Sequence, residues 1–397
     1  MTDTAMRIAV VGAGPAGLAL ALHAAQLLPR AAITVYDARP EDKDVSADPR
    51  TLALALGSVQ LLRRLQAWPA AQAEPILEVQ VSQAPPSLPR AEVRITAAEQ
   101  AVPMLGAVLA YGPLVAALQR AWMAAVAAEP QRLACRFGAP VLAIEQRSGG
   151  AEVRAAAAEA YELVVVAEGG VFADQARKAL RHDYRQTAWV GSVALDGAPR
   201  GTAFERFTRQ GPLALLPLPD AGAAGTTRRA AMVWCVNADD DPVQSLDDRQ
   251  RRLVIDSLLP AAAGRVAAIS PLKHFALGLN AERTLVDQRI VRIGNAAQTL
   301  HPVAGQGLNL GLRDAYSLVE ALRFRAADAA IDTALRRVEW ARAPDRWATI
   351  ASTDFLARSF TWSWPGLGAA RGAAMAALQA LPPLKAALAR QMMFGRR

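Results

Sequence analysis

Apolar positions at the start of the chain follow a strand, helix, strand order. Residues Arg7–Val11 predict a short buried strand, Pro15–Leu28 a helix and Ala32–Tyr36 a second strand. Glycines lie between the first strand and the helix, and the whole unit is about 30 residues long, as expected for a βαβ unit. The chain therefore opens in the manner of a nucleotide-binding α/β domain.

The pattern becomes richer in strands towards the middle and returns to helix at the end. Further helices are predicted at Leu52–Leu65, Leu114–Val126 and 246–263, from about Leu308, and throughout the chain after Asp328. Further strands are predicted at Ile76–Ser82, Leu133–Gln146, Ala151–Arg154, Leu163–Ala167, Trp189–Ala194, Leu213–Leu218, Ala230–Val236 and Arg289–Ile293, the third of them antiparallel to the second.

This order predicts an α/β fold with three parts. A Rossmann-like nucleotide-binding domain is built from separated segments, a β-sheet domain that would bind substrate is inserted into it, and a helical region ends the chain. The predicted boundaries are 1–75, 101–180 and 281–330 for the first part, 76–100 and 181–280 for the second, and 331–397 for the third.

Composition excludes several classes of protein. Hydrophobic residues make up 52% of the 397, enough for a large core. Cys135 and Cys235 form no CxxC pair and the four histidines have no metal-ligand spacing, which predicts a reducing, cytoplasmic location and no metal site. The uncharged stretches Ile8–Pro29 and Ala101–Gln119 are interrupted by glycine and proline, so neither predicts a membrane span, and no secretory leader is visible.

The net charge of +8 is concentrated in one segment. Six basic and no acidic residues lie between Phe355 and Arg397, whereas the first 354 residues carry 38 basic and 36 acidic ones. The body of the protein is therefore not expected to bind nucleic acid. The segment also contains Phe360, Trp362, Trp364 and Phe394. It fits either a contact with the inner-membrane surface or a partner protein, or a packed helical pair with a solvated basic face.

The turn after the first strand reads GAGPAG. Gly12 permits a tight turn, Gly14 lets backbone approach a pyrophosphate, and Gly17 lets the helix pack close to the sheet. The helix N-terminus supplies free N–H groups to the phosphates. Asp37 ends the second strand, where an acid typically binds ribose hydroxyls. The motif predicts a dinucleotide site without distinguishing FAD from NAD.

A second glycine-rich stretch, Ile293–Asp314, reads IGNAAQTLHPVAGQGLNLGLRD. A strand leads into a loop of small residues, a glycine turn and a helix whose N-terminus points back at the loop. Backbone N–H groups, side-chain amides and the helix dipole would together suit the ribityl chain and pyrimidine end of a flavin. This stretch therefore favours FAD.

The same stretch resembles the flavin-binding loop of class A flavoprotein monooxygenases, the relatives of p-hydroxybenzoate hydroxylase. Within that class it is similar to the ubiquinone-biosynthesis hydroxylases, as are Ala203–Pro217 (AFERFTRQGPLALLP) and Arg50–Leu54 (RTLAL). The resemblance covers residues 6–325 and implies a p-hydroxybenzoate-hydroxylase-like fold. It also implies FAD as cofactor, NAD(P)H as a transient co-substrate, O₂, and a polyprenylated phenol as substrate.

The resemblance implies roles for individual residues. Contacts to FAD are expected from Gly12, Ala13, Gly14, Pro15, Ala16, Gly17, Asp37, Arg39, Arg50, Gly294, Asn295, Gly305, Gln306, Gly307, Leu308 and Asn309. Substrate contacts are expected from Phe204, Phe207, Leu215 and Pro217. His301 and Pro302 would lie at the reactive face of the ring as catalytic residues, although a loop histidine that caps a helix explains His301 equally well.

Two positions depart from the family pattern. The buried strand at 163–167 is followed by Glu168-Gly169-Gly170, where relatives have Asp-Gly, which puts nicotinamide handling in doubt. The helix near residue 113 begins with Gly112-Pro113, where relatives often carry Arg or Gln, so one FAD contact is missing or comes from elsewhere.

The implied reaction is hydroxylation of a 2-polyprenyl-6-methoxyphenol to the 1,4-benzoquinol. Three other functions fit the same motifs. They are a sister hydroxylase of the ubiquinone pathway that acts at another ring carbon, a flavin reductase or dehydrogenase without oxygen insertion, and a non-catalytic FAD-bearing scaffold among other ubiquinone-biosynthesis proteins.

Overall fold

The computed structural model describes residues 6–85, 91–168, 178–220, 227–324, 331–362 and 364–396. In the first half the elements are β1 (Arg7–Val11), α1 (Pro15–Leu27), β2 (Ala32–Asp37), β3 (Thr51–Ala55), α2 (Leu56–Arg64), β4 (Ala73–Ile76), β5 (Glu78–Gln83), β6 (Glu92–Thr96), β7 (Gly106–Ala110), α3 (Tyr111–Ala128), β8 (Leu133–Phe137), β9 (Ala143–Arg147), β10 (Gly150–Arg154), β11 (Ala158–Tyr161) and β12 (Leu163–Val166).

The elements of the second half continue the numbering. They are β13 (Lys178–Asp196), β14 (Thr202–Phe207), β15 (Pro212–Leu218), β16 (Thr227–Asn237), α4 (Asp248–Leu258), β17 (Arg265–Ile269), β18 (Lys273–Glu282), β19 (Val286–Asp287), β20 (Ile290–Arg292), β21 (Gln298–Thr299), α5 (Gln306–Arg323), α6 (Ile331–Ser359), α7 (Leu367–Ala380) and α8 (Pro382–Phe394).

A six-stranded sheet in the order β19-β20-β12-β1-β2-β8 carries the nucleotide-binding motifs. Its strands pair in parallel except for β19, which is antiparallel to β20. Both faces are covered: Ile8 and Val10 pack into the core that contains α1, whereas Ala9 and Val11 pack against residues of the small β9–β11 sheet. Burial on both faces explains why these strands read as continuous apolar runs. The carboxyl ends of β1, β12 and β20 lie side by side.

A nine-stranded, largely antiparallel sheet forms the second layer of the molecule, in the order β21-β18-β13-β16-β15-β14-β5-β6 with β17 beside β13. One face, here called the back face, packs Leu213, Leu215 and Trp234 against Ile255 of α4. The opposite, front face packs Phe207 against Val303 in the loop before α5. The sheet therefore covers the loop that leads into α5.

The predicted fold class is confirmed in its three parts: a Rossmann-like α/β unit, an inserted β-sheet and a helical C-terminal region. The predicted residue boundaries of the three domains stay a prediction. No helix among the described residues is long and apolar enough to cross a membrane.

Two predicted elements are wrong. The helix expected at Leu52–Leu65 is a strand, β3, followed by a shorter helix, α2, because Thr51–Ala55 pairs along its length with β7. The strand expected at Leu133–Gln146 is two strands in different sheets. Gly138 has a φ of +70° between them, which ends the pairing of β8 with β2.

Candidate functional site

The turn after β1 is held by close backbone packing. Gly12 has a φ of +106°, and a Cβ there would lie 2.9 Å from the backbone nitrogen of Glu168. A Cβ on Gly17 would run into the carbonyl oxygen of Gly12. The predicted neighbours Ala13, Pro15 and Ala16 are buried in the same turn and first helical turn. Gly12 and Gly17 are therefore required by the fold itself.

Gly14 is different, because packing within the chain does not explain it. Among the described residues, a Cβ on Gly14 would meet only the hydroxyl of Tyr111, at 3.7 Å. Gly14 is the N-cap of α1 and has no side-chain cap, so the N–H groups of the first turn are available to a ligand. An anion at this point would also be favoured by the helix dipole.

Asp37 organises the rim of this turn. Its Oδ2 accepts a hydrogen bond from the backbone N–H of Ala13 at 2.6 Å, and its Oδ1 accepts from that of Arg39 at 2.8 Å. The Arg39 guanidinium reaches the Ala13 carbonyl oxygen at 3.4 Å and Oε1 of Gln119 at 3.3 Å. Each Asp37 oxygen keeps a second lone pair for a ribose hydroxyl, so the predicted ribose contact stays compatible with this geometry.

Arg50 lies beside the same turn. Its guanidinium pairs with Asp48 at 2.8 Å and lies 4.2 Å from the centroid of the Tyr111 ring, whose hydroxyl faces Gly14. The neighbouring Gly112 is needed here because a Cβ on it would lie 2.5 Å from the carbonyl oxygen of Val45. Segment 45–50 is thereby packed onto the start of α3. This close contact leaves no space for a side chain at position 112, which explains why this chain has no Arg or Gln there.

The second glycine-rich loop meets the first. Gly294 is buried with a φ of +59°, and a Cβ on it would lie 3.5 Å from the Cβ of Ala16 in the first motif. Gly311 of α5 allows the helix to approach, since a Cβ there would lie 2.8 Å from the Gly294 Cα. Asn295 between them is exposed. The structure thus brings the two motifs, about 280 residues apart, to one edge of the parallel sheet.

The N-terminus of α5 presents an open surface. Gly305, its N-cap, has a φ of +58° and no side-chain cap. A Cβ on Gly307 would meet no atom within 4 Å. Leu308 packs towards the core, while the Gln306 side chain bonds back to the Ala304 carbonyl oxygen at 3.1 Å. Gly14 and Gly307 therefore mark two openings, each at a helix N-terminus.

The side-chain amide of Asn309 forms its hydrogen bonds within the protein. Its Oδ1 accepts from the Ala55 backbone N–H at 2.8 Å and from the Ser58 hydroxyl at 2.7 Å. Its Nδ2 donates to the carbonyl oxygens of Ala53 and Gly305, both at 2.9 Å. All four hydrogen-bonding positions of the amide are occupied. The geometry favours a role in fixing the loop to β3 and α2, and a direct contact to FAD stays a prediction.

His301 lies in a closed environment. It is 1% exposed, its Nδ1 accepts from the Val303 backbone N–H at 3.2 Å, and its Nε2 bonds Oε1 of Gln186 at 2.9 Å. Burial lowers the pKa of His301 from 6.5 to about 4. The ring is therefore neutral near pH 7, with its proton on Nε2. Of the two predicted roles, this geometry favours the loop histidine, with Pro302 directly after it at the start of the turn.

We expect this burial to destabilise the protein in acid. As pH falls below 6.5, the unfolded chain becomes protonated at His301, whereas the folded chain stays unprotonated there until about pH 4. The free energy of unfolding therefore falls between pH 6.5 and pH 4. The loss attributable to His301 is up to about 3 kcal/mol. His23 adds to the same trend. Burial, together with the positive charges of Arg64 and Arg323, lowers its pKa to about 4 as well.

Urea unfolding of His301→Gln between pH 4 and 7 measures this effect. The variant is expected to start less stable at pH 7 and to lose stability less steeply towards pH 4. His274→Gln, on the exposed side of β18, is the matched control and should keep the wild-type slope. An unchanged slope in His301→Gln would contradict the buried, neutral state of the ring.

The front face of the large sheet places the carboxyl group of Glu205 over the loop. The sequence did not single out this residue. Glu205 of β14 accepts a hydrogen bond from the Ala304 backbone N–H, and Ala304 itself has a φ of +59°. Oε1 of Glu205 is buried and has no hydrogen-bond partner among the described residues. Burial raises the pKa of Glu205 from 4.5 to about 7. Glu205 is thus a titratable group at the loop with a free acceptor atom.

The four predicted substrate residues do not lie on one face of the sheet, and their substrate contacts stay a prediction. Phe204 and Leu215 face the back of the sheet and pack with α4, and Pro217 has the same orientation along β15. Only Phe207 faces the loop, where its ring stacks on Phe360 with centroids 3.9 Å apart. Successive strand residues alternate between faces, so the front face presents Glu205 instead of Phe204.

Glu168 lies two residues after the end of β12 and next to Gly12, whose turn it touches through its backbone. The residue is half-buried, and burial, followed by repulsion from Asp37, raises the pKa of its carboxyl. Gly169 and Gly170 lie outside the described residues. Two carboxylates, Glu168 and Asp37, therefore flank the first motif.

A sequence model of the family described as "FAD binding domain" matches residues 5–353. The chain belongs to this family. FAD is accordingly its cofactor, and the residues fit the group: two motifs meet at one sheet edge, and the helix N-termini at Gly14 and Gly307 lie open. When bound, FAD supplies the redox chemistry, including reaction with O₂.

Named relatives narrow the family. The chain is 33% identical over 214 residues to ubiquinone hydroxylase UbiL of Rhodospirillum rubrum, covering 53% of the chain and 48% of the relative. It is 28% identical over 410 residues to 3-demethoxyubiquinol 3-hydroxylase of Escherichia coli, covering 97% of both. The match to UbiL thus spans about half of that relative. The resemblance to the ubiquinone-biosynthesis class of flavin monooxygenases is confirmed.

Solved structures show the same fold. The chain superposes on Klebsiella pneumoniae HpxO, crystallised with FAD and uric acid, with a TM-score of 0.70 over 98% of this chain and 97% of that one, at 17% identity. This likeness confirms the fold predicted from the resemblance to p-hydroxybenzoate hydroxylase.

Proposed function

We propose that the protein is an FAD-dependent aromatic ring hydroxylase that uses NAD(P)H and O₂ to add one oxygen atom to a polyprenylated phenol. The observation that carries the proposal is the position of Glu205. Its carboxyl has a buried, unpartnered oxygen on the front face, at the loop that leads into the flavin-binding N-terminus of α5. Such an acceptor can take the proton of a phenolic hydroxyl, which makes the aromatic ring more electron-rich.

The surroundings of Glu205 suit an apolar substrate. Leu216 and Val81 lie on the same face, and both pack against the main core. Phe207, Val303 and Phe360 close the sheet towards α6. His301 stays neutral beside the loop and holds it in place, so Glu205 carries the proton chemistry in this proposal. Arg39, Arg50 and Asp37 bind the adenosine and phosphate end.

Two ring positions are candidates. The first substrate to test is a 2-polyprenyl-6-methoxyphenol, hydroxylated to the 1,4-benzoquinol, as in 2-octaprenyl-6-methoxyphenol hydroxylases. The second is a demethoxyubiquinol hydroxylated at another carbon, which the full-length match to 3-demethoxyubiquinol 3-hydroxylase favours. Both reactions have the same balance, in which one atom of O₂ enters the ring and the other leaves as water.

The test is incubation of FAD-loaded protein with NADPH or NADH, ¹⁸O₂ and a short-chain form of each phenol. We expect a product that carries one ¹⁸O atom, and fragmentation in the mass spectrometer locates it. NAD(P)H oxidation that yields only peroxide with both phenols would reject this substrate class. Bound FAD that NAD(P)H never reduces would favour the scaffold function, with Glu168 as the first residue to exchange.

Association with a membrane or with other ubiquinone-biosynthesis proteins stays part of the proposal. Within the basic segment, Phe360 is buried and Lys385 pairs with Glu99 at 3.2 Å, so α7 and α8 are packed in part against the body. Trp362 and Trp364 are exposed and stack on each other with ring centroids 6.2 Å apart. These two rings are the part of the segment that supports a peripheral contact.

A further inference from the structure

A second polar cavity lies away from the FAD loops, between α2, α5, α6 and α8. Its volume is about 150 Å³. Four arginines line it: Arg64, Arg313, Arg342 and Arg396. The remaining lining comes mainly from Leu61, Leu312, Tyr316, Met393 and Phe394. Four cations around one small cavity would repel each other strongly without negative charge nearby.

Two buried aspartates, Asp314 and Asp345, pair with two of the four arginines. Arg342 pairs with Asp314 through Nε and with Asp345 through Nη1, both at 2.8 Å, and Arg313 pairs with Asp345 at 3.4 Å. Burial alone would raise the pKa of Asp345, but the adjacent Arg342 and Arg313 outweigh it and lower the pKa. Neither Arg64 nor Arg396 forms an ion pair with a carboxylate among the described residues, whereas Arg313 and Arg342 do.

Arg342 also has an unused donor. Its side chain is 4% exposed, and its Nη2 is buried without a hydrogen-bond partner among the residues that the structure describes. A buried N–H of a charged group is costly to leave unsatisfied. Because Nε and Nη1 face the two aspartates, Nη2 is the unpaired donor of a side chain that lines the cavity.

We propose that this cavity binds a phosphate group. A phosphate dianion complements the two arginines without a carboxylate partner, Arg64 and Arg396, and its oxygens suit the planar donor edge of guanidinium groups. The volume is sufficient for a phosphate group. Arg313 also donates to Oε1 of Gln306 at 3.2 Å, so the cavity is linked to the N-terminus of α5.

Inorganic phosphate is the probe, and the FAD-loaded protein is the sample. Phosphate at about ten times its Kd is expected to raise the melting temperature by about 2 °C relative to chloride at equal ionic strength. Arg64→Gln and Arg396→Gln should weaken or abolish the rise. Both side chains are exposed, so the variants are expected to fold.

Arg63→Gln is the matched control, because Arg63 is the exposed neighbour of Arg64 on α2 and does not line the cavity. Phosphate also stabilises proteins non-specifically through its exclusion from their surfaces. The proposal therefore requires a difference between the Arg64 and Arg63 variants. An equal rise in the wild type and all variants, or no rise in the wild type, overturns it.

A second arm identifies the source of the phosphate. Vesicles containing phosphatidic acid are compared with vesicles of phosphatidylcholine alone. Phosphatidic-acid binding that Arg64→Gln abolishes and Arg63→Gln keeps assigns the cavity to a lipid headgroup. An Arg64-dependent response to inorganic phosphate without vesicle binding assigns it to a soluble phosphate ester. Neither assay needs hydroxylase activity, so the result is independent of the proposed reaction.

Discussion

Gly307→Ala is expected to weaken FAD binding while leaving the apoprotein as stable as the wild type. A methyl group on Gly307 meets no protein atom within 4 Å, so the helix accepts it without strain. The space it enters is the opening at the N-terminus of α5, where the cofactor is predicted to approach the backbone. Overpacking of this kind costs about 1–3 kcal/mol, or about 5- to 150-fold in Kd.

Gly17→Ala, by contrast, is expected to lower the stability of the apoprotein itself. The new methyl group would collide with the Gly12 carbonyl oxygen, so α1 must shift and the apoprotein itself loses stability. Thermal unfolding of the apoprotein and fluorescence titration with FAD measure the two quantities separately.

Gly368→Ala is the matched control for Gly307→Ala. Gly368 is the second residue of α7, as Gly307 is of α5, and a Cβ there also meets nothing within 4 Å. Its substitution should change neither quantity. Wild-type affinity for FAD in Gly307→Ala would show that the cofactor does not occupy this opening.

The sequence predicted both cofactor loops because each is a local feature. The spacing of Gly12, Gly14 and Gly17 identifies one turn, whereas the roles of Gly305 and Gly307 at the start of α5 came from the family resemblance. Their contacts to FAD stay a prediction. Spacing did not show which of these glycines are required by packing within the chain and which leave space for a ligand. Gly12 and Gly17 satisfy contacts within the chain, whereas Gly14 and Gly307 face open space.

The orientation of the predicted substrate residues could not be read from the sequence, because it depends on which face of a strand is covered. The segment AFERF offers aromatic residues that suggest an apolar pocket, but α4 covers the face to which Phe204 belongs. Glu205 then faces the loop. Similarly, His301 attracted a catalytic role by residue type, and only the contacts to Gln186 and Val303 show that both ring nitrogens are used.

The arginine cavity illustrates a third limit of sequence reasoning. Its four arginines come from residues 64 to 396, and no short motif connects them. Asp314, at the end of the second motif, was predicted as part of a flavin loop. In the structure it is fully buried and pairs with Arg342 of α6. Only the tertiary contacts reveal the excess of positive charge.

Glu205→Gln is expected to lower kcat/KM for the phenol by about 10²- to 10⁴-fold above pH 7, the contribution typical of a positioned proton acceptor. In the wild type kcat/KM should rise with pH through about 7, where the Glu205 carboxyl ionises. Two neighbouring groups titrate elsewhere: burial raises the pKa of the Cys235 thiol, which interacts with Glu205, and lowers the pKa of His301, at the start of the same loop, to about 4. The rise therefore reports on Glu205.

Stability provides a second, independent signature of the same substitution. Because the pKa of Glu205 is raised in the folded state, the stability it contributes is present below pH 4.5 and is lost as pH rises through about 7. Glu205→Gln removes this loss and should stabilise the protein at pH 8, relative to the wild type, by up to about 3 kcal/mol. A variant that is more stable yet far less active is difficult to explain by misfolding.

Glu92→Gln is the control, since Glu92 is exposed on β6 of the same sheet. It should keep the wild-type pH profile of kcat/KM and the wild-type dependence of stability on pH. If Glu205→Gln retains the rise of kcat/KM through pH 7, the phenolic proton goes to another group. If it loses the rise but also loses stability at pH 8, Glu205 acts by holding Ala304 in its left-handed conformation, because the hydrogen bond from that backbone N–H is then its main contribution.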